Sequence, residues 1–326
     1  MKAVMCTEWG GPEKLTVGEA PEPEIGPGEV RIAVKACGVN FGDTLLIQGS
    51  YQVKPDFPFV PGMEAAGDVL EVGDGVTGIK PGDRVVASTS LGAYAEQAVC
   101  KAASVVALPD KMDYVTAASF PVAYGTSHVG LDYRAGLKEG ETLLVTGAAG
   151  GVGLTAVEIG AQMGARVIAA ASSPEKLAVC AEHGASDLID YTKEDLRQRV
   201  KELTDGRGAD VVYDPVGGEA FDAAMRCTAW EGRIVIIGFA SGKWNEVKTN
   251  IVMVKNISVV GFYWGSYAIY KPEIAGRSMR QLVDWYDAGR LDPHVSHTLA
   301  LDDVAQALDL IVSRKSTGKV VLEVSR

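Results

Sequence analysis

The sequence predicts an α/β protein in which a doubly wound parallel sheet follows a smaller, β-rich domain. Three observations predict it. From about Pro121, strand-like runs alternate with helical patterns, the rhythm of βα units and a parallel sheet. The first of these units carries a glycine-rich turn, Gly147-Ala148-Ala149-Gly150-Gly151-Val152-Gly153, between its strand and its helix. The residues before Pro121 are punctuated by Gly and Pro and read as short strands joined by tight turns. A chain of 326 residues suits about two domains at roughly 100–200 residues each.

The elements follow in order. In the first part, "EVRIAVKACGV" alternates apolar and polar residues, and so does "GDRVVAS". In Lys80-Pro81-Gly82-Asp83, proline pre-sets one turn position and glycine accepts the positive φ of the next, as a type II turn requires. One helix is predicted here, over "TLLIQG", with Asp43 as its N-cap. The middle part pairs "TLLVT" with "GVGLTAVEIGAQMG", "RVIAAA" with "PEKLAVCAEHG", "DLID" with "KEDLRQRVKELTDG" and "ADVVYDPVG" with "GEAFDAAMRCTA". "GRIVIIGF" and "ISVVGFYW" complete six strands, the number of a doubly wound nucleotide-binding fold. The tail holds two amphipathic helices, "SMRQLVDWYDAG" and "LDDVAQALDLIVSRKS", then a strand, "GKVVLEV". The expected domains are residues 1–122, 123–265 and a segment 266–326 that returns to the first.

Composition narrows the function. An apolar fraction of 47% is ordinary for a globular protein. The formal charge of -11, with no long basic run, argues against a nucleic-acid or anionic-membrane surface. No stretch approaches the roughly 20 apolar residues of a membrane span, and "MKAVMCTEWGG" lacks the features of a secretory signal. The five cysteines are scattered without a C-x-x-C and read as reduced thiols, which places the expected protein in the cytoplasm.

The glycine turn is the strongest chemical signal. Gly150 and Gly153 hold the second and third places of G-x-G-x-x-G, which admit the pyrophosphate and let the helix pack on its strand. Ala148 replaces only the turn glycine, and a methyl group costs little there if its φ is negative. The backbone of Gly150, Gly151, Val152 and Gly153 then meets the phosphates at a positive helix end. A site for NAD carries Asp or Glu about 20 residues on, against the ribose 2′-OH. Here Ala170-Ala171-Ser172-Ser173 carries no acid. Ser172 and Ser173 can donate to a 2′-phosphate and Lys176 can pair with it, so NADP(H) is the expected cofactor; Lys176 is otherwise a solvated first-turn lysine.

These residues resemble a family, the quinone oxidoreductases (zeta-crystallin-like) of the medium-chain dehydrogenase/reductase superfamily. "GETLLVTGAAGGVG" is similar to its signature, and the likeness extends through "GVNFGDTLLIQGSY", "PFVPGMEAAGDVLEVGDGV", "KPGDRV", "VAYGTSH", "DVVYDPVGG" and "TGKVVLEV". Glu158 and Ala161 depart from it, standing where the signature has Gln and a basic or small polar residue. The resemblance implies a GroES-like N-terminal catalytic domain, a Rossmann domain, an active site in the cleft between them, and a homodimer, through the strand of "ISVVGF". It also implies that Tyr191 lies near the adenosine ribose phosphate, the alternative being a half-buried ring at a strand end. Thr126 matches a threonine beside the nicotinamide. Phe239 and Phe262 match positions near that ring, or belong to the core. Lys319 either reaches the cofactor or merely flanks a strand.

Zinc members of the superfamily carry a Cys-His pair and a Gly-His-Glu near the N-terminus. Asn40 and Met63 stand at the cysteine and histidine positions here, and an amide and a thioether are poor replacements for zinc ligands. His294 and His297 follow Pro293 in an expected loop and read as surface or packing residues. No metal is therefore expected. Without a Lewis acid the acceptor must already be electron-poor. A quinone suits this, and an enone or enoyl double bond is the alternative. Asn40 offers an amide N–H to the developing oxyanion and Tyr51 a phenol as proton donor, unless the ring only packs on the cleft wall. The expected protein is a zinc-independent NADPH:quinone reductase acting on a small molecule. A non-catalytic NADPH-binding protein is the rival of another class.

Overall fold

A computed structural model describes residues 1–324 of the chain. It divides into two compact units. Unit 1 contains Met1–Val122, Gly265–Ala288 and Pro293–Arg326, and unit 2 contains Ala123–Trp264 and Gly289–Asp292.

Unit 1 is built on a seven-stranded sheet. Its backbone is the long strand Glu29–Val39, whose alternating burial reproduces the alternation of its sequence. That strand pairs antiparallel with Glu64–Val72, with Gln97–Lys101 and, at its end, with Lys319–Glu323. Val295–Ala300 runs parallel to Lys319–Glu323 at the edge. This is a strand, not the expected loop, and His297 lies within it. Arg84–Ser88 and Val105–Ala107 complete the sheet. The turn before Arg84–Ser88 has the predicted form: Gly82 has φ +90°, and Asp83 N donates to Lys80 O at 3.1 Å.

The helix of "TLLIQG" starts earlier than expected. It spans Phe41–Ile47 with Asn40 as N-cap. Asp43 is the third helical residue, and its carboxylate accepts from the Asn40 backbone N–H at 2.8 Å. Both types cap helices well, so the three-residue offset is invisible in the sequence.

Unit 2 is a six-stranded parallel sheet. In sequence order its strands are Thr142–Val145, Arg166–Ala171, Asp187–Asp190, Ala209–Asp214, Thr228–Ile236 and Ser258–Gly261, and across the sheet they run third, second, first, fourth, fifth, sixth. The order reverses between the first and fourth strands. That is the switch point at which such sheets bind ligands. The inner strands are buried on both faces, which explains their unbroken apolar runs.

Glu158 explains why Gly289–Asp292 belongs to unit 2. Buried on the helix Gly151–Gln162, it accepts from Tyr124 OH at 2.5 Å and from the Asp292 backbone N–H. His183 adds a hydrogen bond to Asp292 O at 3.1 Å. The departure from the family signature thus has a structural use. Among the described residues all five cysteines are free and buried, and no helix is long and apolar enough to cross a membrane.

Candidate active site

In unit 2 the glycine turn resolves its own anomaly. The positive φ falls on Gly147, at +55°, and not on Ala148. Ala148 is instead buried, with its N–H donating to Ala170 O at 3.0 Å. Gly150 is the N-cap of Gly151–Gln162, with φ −77° and ψ 175°. A side chain there would meet only Gly147 O, at 3.4 Å. A side chain on Gly153 would sit 2.2 Å from the same oxygen. So the fold itself demands glycine at 153, while at 150 a Cβ would meet nothing closer than an ordinary contact. The first N–H groups of the helix, those of Gly151, Val152 and Gly153, lack intrahelical acceptors and lie at its positive end.

The second strand ends beside this turn. Ser173 caps the helix Pro174–Glu182, its Oγ accepting from Lys176 N at 3.4 Å. Lys176 Nζ reaches Ser172 Oγ at 3.4 Å. Tyr191 N donates to Ala171 O at 3.2 Å, which places its backbone at the same strand end, and its side chain is exposed. Ser172, Ser173, Lys176 and the Tyr191 backbone therefore lie at one strand end. Exposed Glu175 shares the spot, its carboxyl held below the ordinary range chiefly by a hydrogen bond to Ser173.

Asp214, at the end of the fourth strand, carries no signal of its own in the sequence. It is fully buried and accepts from Thr146 Oγ1 at 2.5 Å, Val216 N at 3.1 Å and Gly217 N at 3.2 Å. It ties the first strand to the "DPVGG" loop, and burial raises its carboxyl above the usual range. Phe239 lies beyond the fifth strand, edge-on to Trp244 at 4.8 Å. Phe262 follows the sixth strand, 3.6 Å from where a Cβ on Gly130 would stand. Thr126 is buried in Gly125–His128. The adjacent Ser127 Oγ bonds Val152 O at 2.9 Å, Thr155 Oγ1 at 2.7 Å and Tyr213 OH at 2.9 Å, locking this segment to the glycine-turn helix.

In unit 1 the central feature is a buried polar cluster. Asn40 Nδ2 donates to Glu64 Oε1 at 2.7 Å. Lys319 Nζ donates to Asn40 Oδ1 at 2.6 Å, to Glu64 Oε1 at 2.7 Å and to Val39 O at 3.3 Å. Glu64 Oε2 accepts from Val122 N at 2.7 Å. The lysine and glutamate side chains are 3% and 0% exposed, and Asn40 is 9% exposed. Gly38 makes room: a Cβ there would lie 2.2 Å from Glu64 Oε1. Asp43 stands on the other side of the cap, taking a hydrogen bond from Tyr94 OH at 2.8 Å. Burial pushes its carboxyl up to about 7, against the pull of the Tyr94 and Asn40 hydrogen bonds. Tyr51 and Met63 both approach Gly42 on the first turn of the same helix, 3.4 and 3.5 Å from where its Cβ would be. Asn40 and Tyr51 are thus brought to one helix end. Lys319, in contrast, commits its ammonium inside this cluster.

Comparison with known proteins accords with both units. Residues 26–110 match the family described as alcohol dehydrogenase GroES-like domain, and residues 151–284 the family described as zinc-binding dehydrogenase. The chain is 43% identical, over 98% of its length and 88% of the relative's, to the quinone oxidoreductase-like protein 2 homolog of Nematostella vectensis. It is 38% identical to the quinone oxidoreductase of Pseudomonas aeruginosa, over 98% and 99% of the two chains. The crystal structure of Escherichia coli quinone oxidoreductase complexed with NADPH superposes with a TM-score of 0.91, at 31% identity, covering 99% of this chain and 100% of that one.

The second of these family descriptions raises zinc, and the donor set does not fit it. Asn40 and Met63 offer an amide and a thioether where the resemblance would place cysteine and histidine. The Lys319 ammonium already sits on the Asn40 and Glu64 oxygens, so a dication would be repelled there. Among the described residues no group of three His, Cys, Asp or Glu side chains is arranged to hold a metal, and His294 and His297 face Thr317 and Ser296 hydroxyls. With a GroES-like unit, a Rossmann unit of matching strand order and relatives covering nearly its whole length, the chain belongs to the quinone oxidoreductase family of the medium-chain dehydrogenase/reductase superfamily.

Proposed function

We propose that this protein is a zinc-independent, NADPH-dependent reductase of quinones. The observation that carries the reading is the end of the second strand. Two hydroxyls and a lysine stand at the strand end where an NAD site carries its carboxylate, next to a glycine turn with room for the pyrophosphate, and Glu175 is set one step further on, in the helix. Bound NADPH supplies a hydride. Gly150, Gly151, Val152 and Gly153 hold its pyrophosphate, and Ser172, Ser173, Lys176 and Tyr191 its 2′-phosphate. Thr126, Phe239 and Phe262 flank the nicotinamide. The names of the relatives support a quinone as acceptor. Asn40 donates a hydrogen bond to the oxygen on which charge develops, and Tyr51 is the proton donor. Quinone, NADPH and one proton give hydroquinone and NADP+. The partner is a second copy of the chain, paired through the edge strand Ser258–Gly261.

The test is NADPH consumption with a panel of quinones, enones and enoyl thioesters, alongside the affinities for NADPH and NADH. Turnover of quinones with NADPH preferred is expected. A preference for NADH, or turnover of enoyl thioesters alone, overturns the reading.

A further inference from the structure

The geometry points to Lys319 as a positioning residue for this reduction: its buried ammonium fixes and polarises the Asn40 carboxamide that meets the acceptor oxygen. The inference rests on the reductase reading above and adds the group that makes Asn40 effective.

Carboxamide chemistry carries the argument. An asparagine offers one acceptor oxygen and two N–H donors. The Lys319 ammonium only donates, and the Glu64 carboxylate only accepts. Lys319 at 2.6 Å therefore requires the oxygen of Asn40 against the ammonium, and Glu64 at 2.7 Å requires the nitrogen against the carboxylate, the two charges being themselves paired at 2.7 Å. The amide has one orientation, set by two charges of opposite sign. One Asn40 N–H is used on Glu64, and the second has no acceptor among the described residues. Asn40 is not fully enclosed, its residue retaining 9% exposure.

The charges also act on the donor itself. A cation on the amide oxygen draws electron density from the nitrogen and strengthens the remaining N–H as a donor, while the Glu64 carboxylate on the first N–H offsets part of that gain. This takes place in a buried site, where such polarisation is screened least. The acceptor gains two electrons and one hydrogen as hydride from NADPH, which leaves as NADP+; its oxygen carries the negative charge until a proton arrives. A preorganised donor aimed at that oxygen lowers the barrier without reorganising. Glu64 has its own restraints, in Val122 N and the space left by Gly38, so the ammonium is held from behind. An alternative role, a buried ion pair that only holds the fold, makes no demand on the rate.

Two variants separate these roles. Lys319→Met/Glu64→Gln removes both charges together and avoids stranding a buried carboxylate. Lys319→Gln keeps a hydrogen-bond donor and removes the positive charge. In each, quinone turnover, NADPH affinity and the melting transition are measured, the first over quinones whose hydroquinones differ in acidity. The expected result is a fall in kcat of about 100-fold, with NADPH affinity within about 2-fold of the wild type because no cofactor contact is touched. The loss is expected to grow as the hydroquinone becomes less acidic, since a more basic oxyanion depends more on its donor. A folded variant of either kind with kcat near the wild-type value overturns the role of Lys319 alone. So does a uniform loss across the quinones, or variants that both fail to fold. A wild-type protein that binds NADPH but reduces no quinone overturns the reductase reading, and this inference with it.

Discussion

Asp43 shows how far burial can move a single group. Its carboxyl titrates at about 7, raised by burial and held back by hydrogen bonds from Tyr94 and Asn40, while Oδ1 has no partner. A carboxyl raised in the folded state binds its proton more tightly there than in the unfolded chain. Its contribution to stability is therefore full below about 4 and is lost as pH rises through about 7. Asp43→Asn keeps an acceptor for Tyr94 and Asn40 and does not titrate. Between pH 5 and pH 8 the wild type is expected to lose about 3 kcal/mol more than Asp43→Asn, measured by urea unfolding. Equal losses would show that Asp43 is ionised throughout. Ser173 allows a test of the nucleotide reading at the same scale. Aspartate caps a helix as well as serine, so Ser173→Asp preserves Pro174–Glu182. Its charge is expected to weaken NADPH binding about 10-fold or more by repulsion of the 2′-phosphate, with NADH binding unchanged in a fluorescence titration.

The glycine-turn helix was legible as an element because strand, turn and helix are contiguous. Gly150 and Gly153 could be placed from spacing alone. Their difference could not, since it depends on where Gly147 O points. That oxygen is 2.2 Å from a Cβ at 153 and 3.4 Å from one at 150. Gly153→Ala is therefore expected to destabilise the protein by about 2 kcal/mol or more, read by urea unfolding. Gly150→Ala is expected to cost less than Gly153→Ala, about 1 kcal/mol or below from the weaker N-cap, and to weaken NADPH binding, because its methyl group enters the open space at which the pyrophosphate is proposed to bind. If both variants unfold alike, the opening at 150 is structural and has no phosphate role. Two elements were less legible. Val295–Ala300 reads "VSHTLA" and is partly exposed along most of its length, so no alternation marked it as a strand. The helix Phe41–Ile47 is legible as a helix but not at its start, because Asn40 and Asp43 are both good caps and only the folded backbone chooses between them.

At the scale of the whole molecule, the sequence revealed the two folds but not the chemistry of unit 1. Asn40 could be singled out from its neighbours, whereas its partners lie 24 and 279 residues away in the chain. Lys319 was readable only as a strand flank or a cofactor contact, since no periodicity brings the end of the chain to its beginning. That placement comes from antiparallel pairing of Val320 with Val39, a register set by packing across the sheet. Assembly lies at the same scale. Ser258–Gly261 is the edge of the unit 2 sheet, paired on one side by Thr228–Ile236. An open edge is a template for a second copy of itself. Gly261 is exposed there with φ outside the positive region, and a Cβ on it would meet nothing within 4 Å. A charged side chain at this position therefore costs the isolated chain little, but in a paired edge it would face its own copy. Gly261→Asp is expected to leave the melting temperature of the monomer unchanged and to weaken dimerisation by about 10-fold or more through like-charge repulsion. Light scattering after size-exclusion chromatography over a range of concentrations reads this directly. A wild-type chain that stays monomeric at every concentration, or a Gly261→Asp dimer as tight as the wild type, would place the partner surface elsewhere.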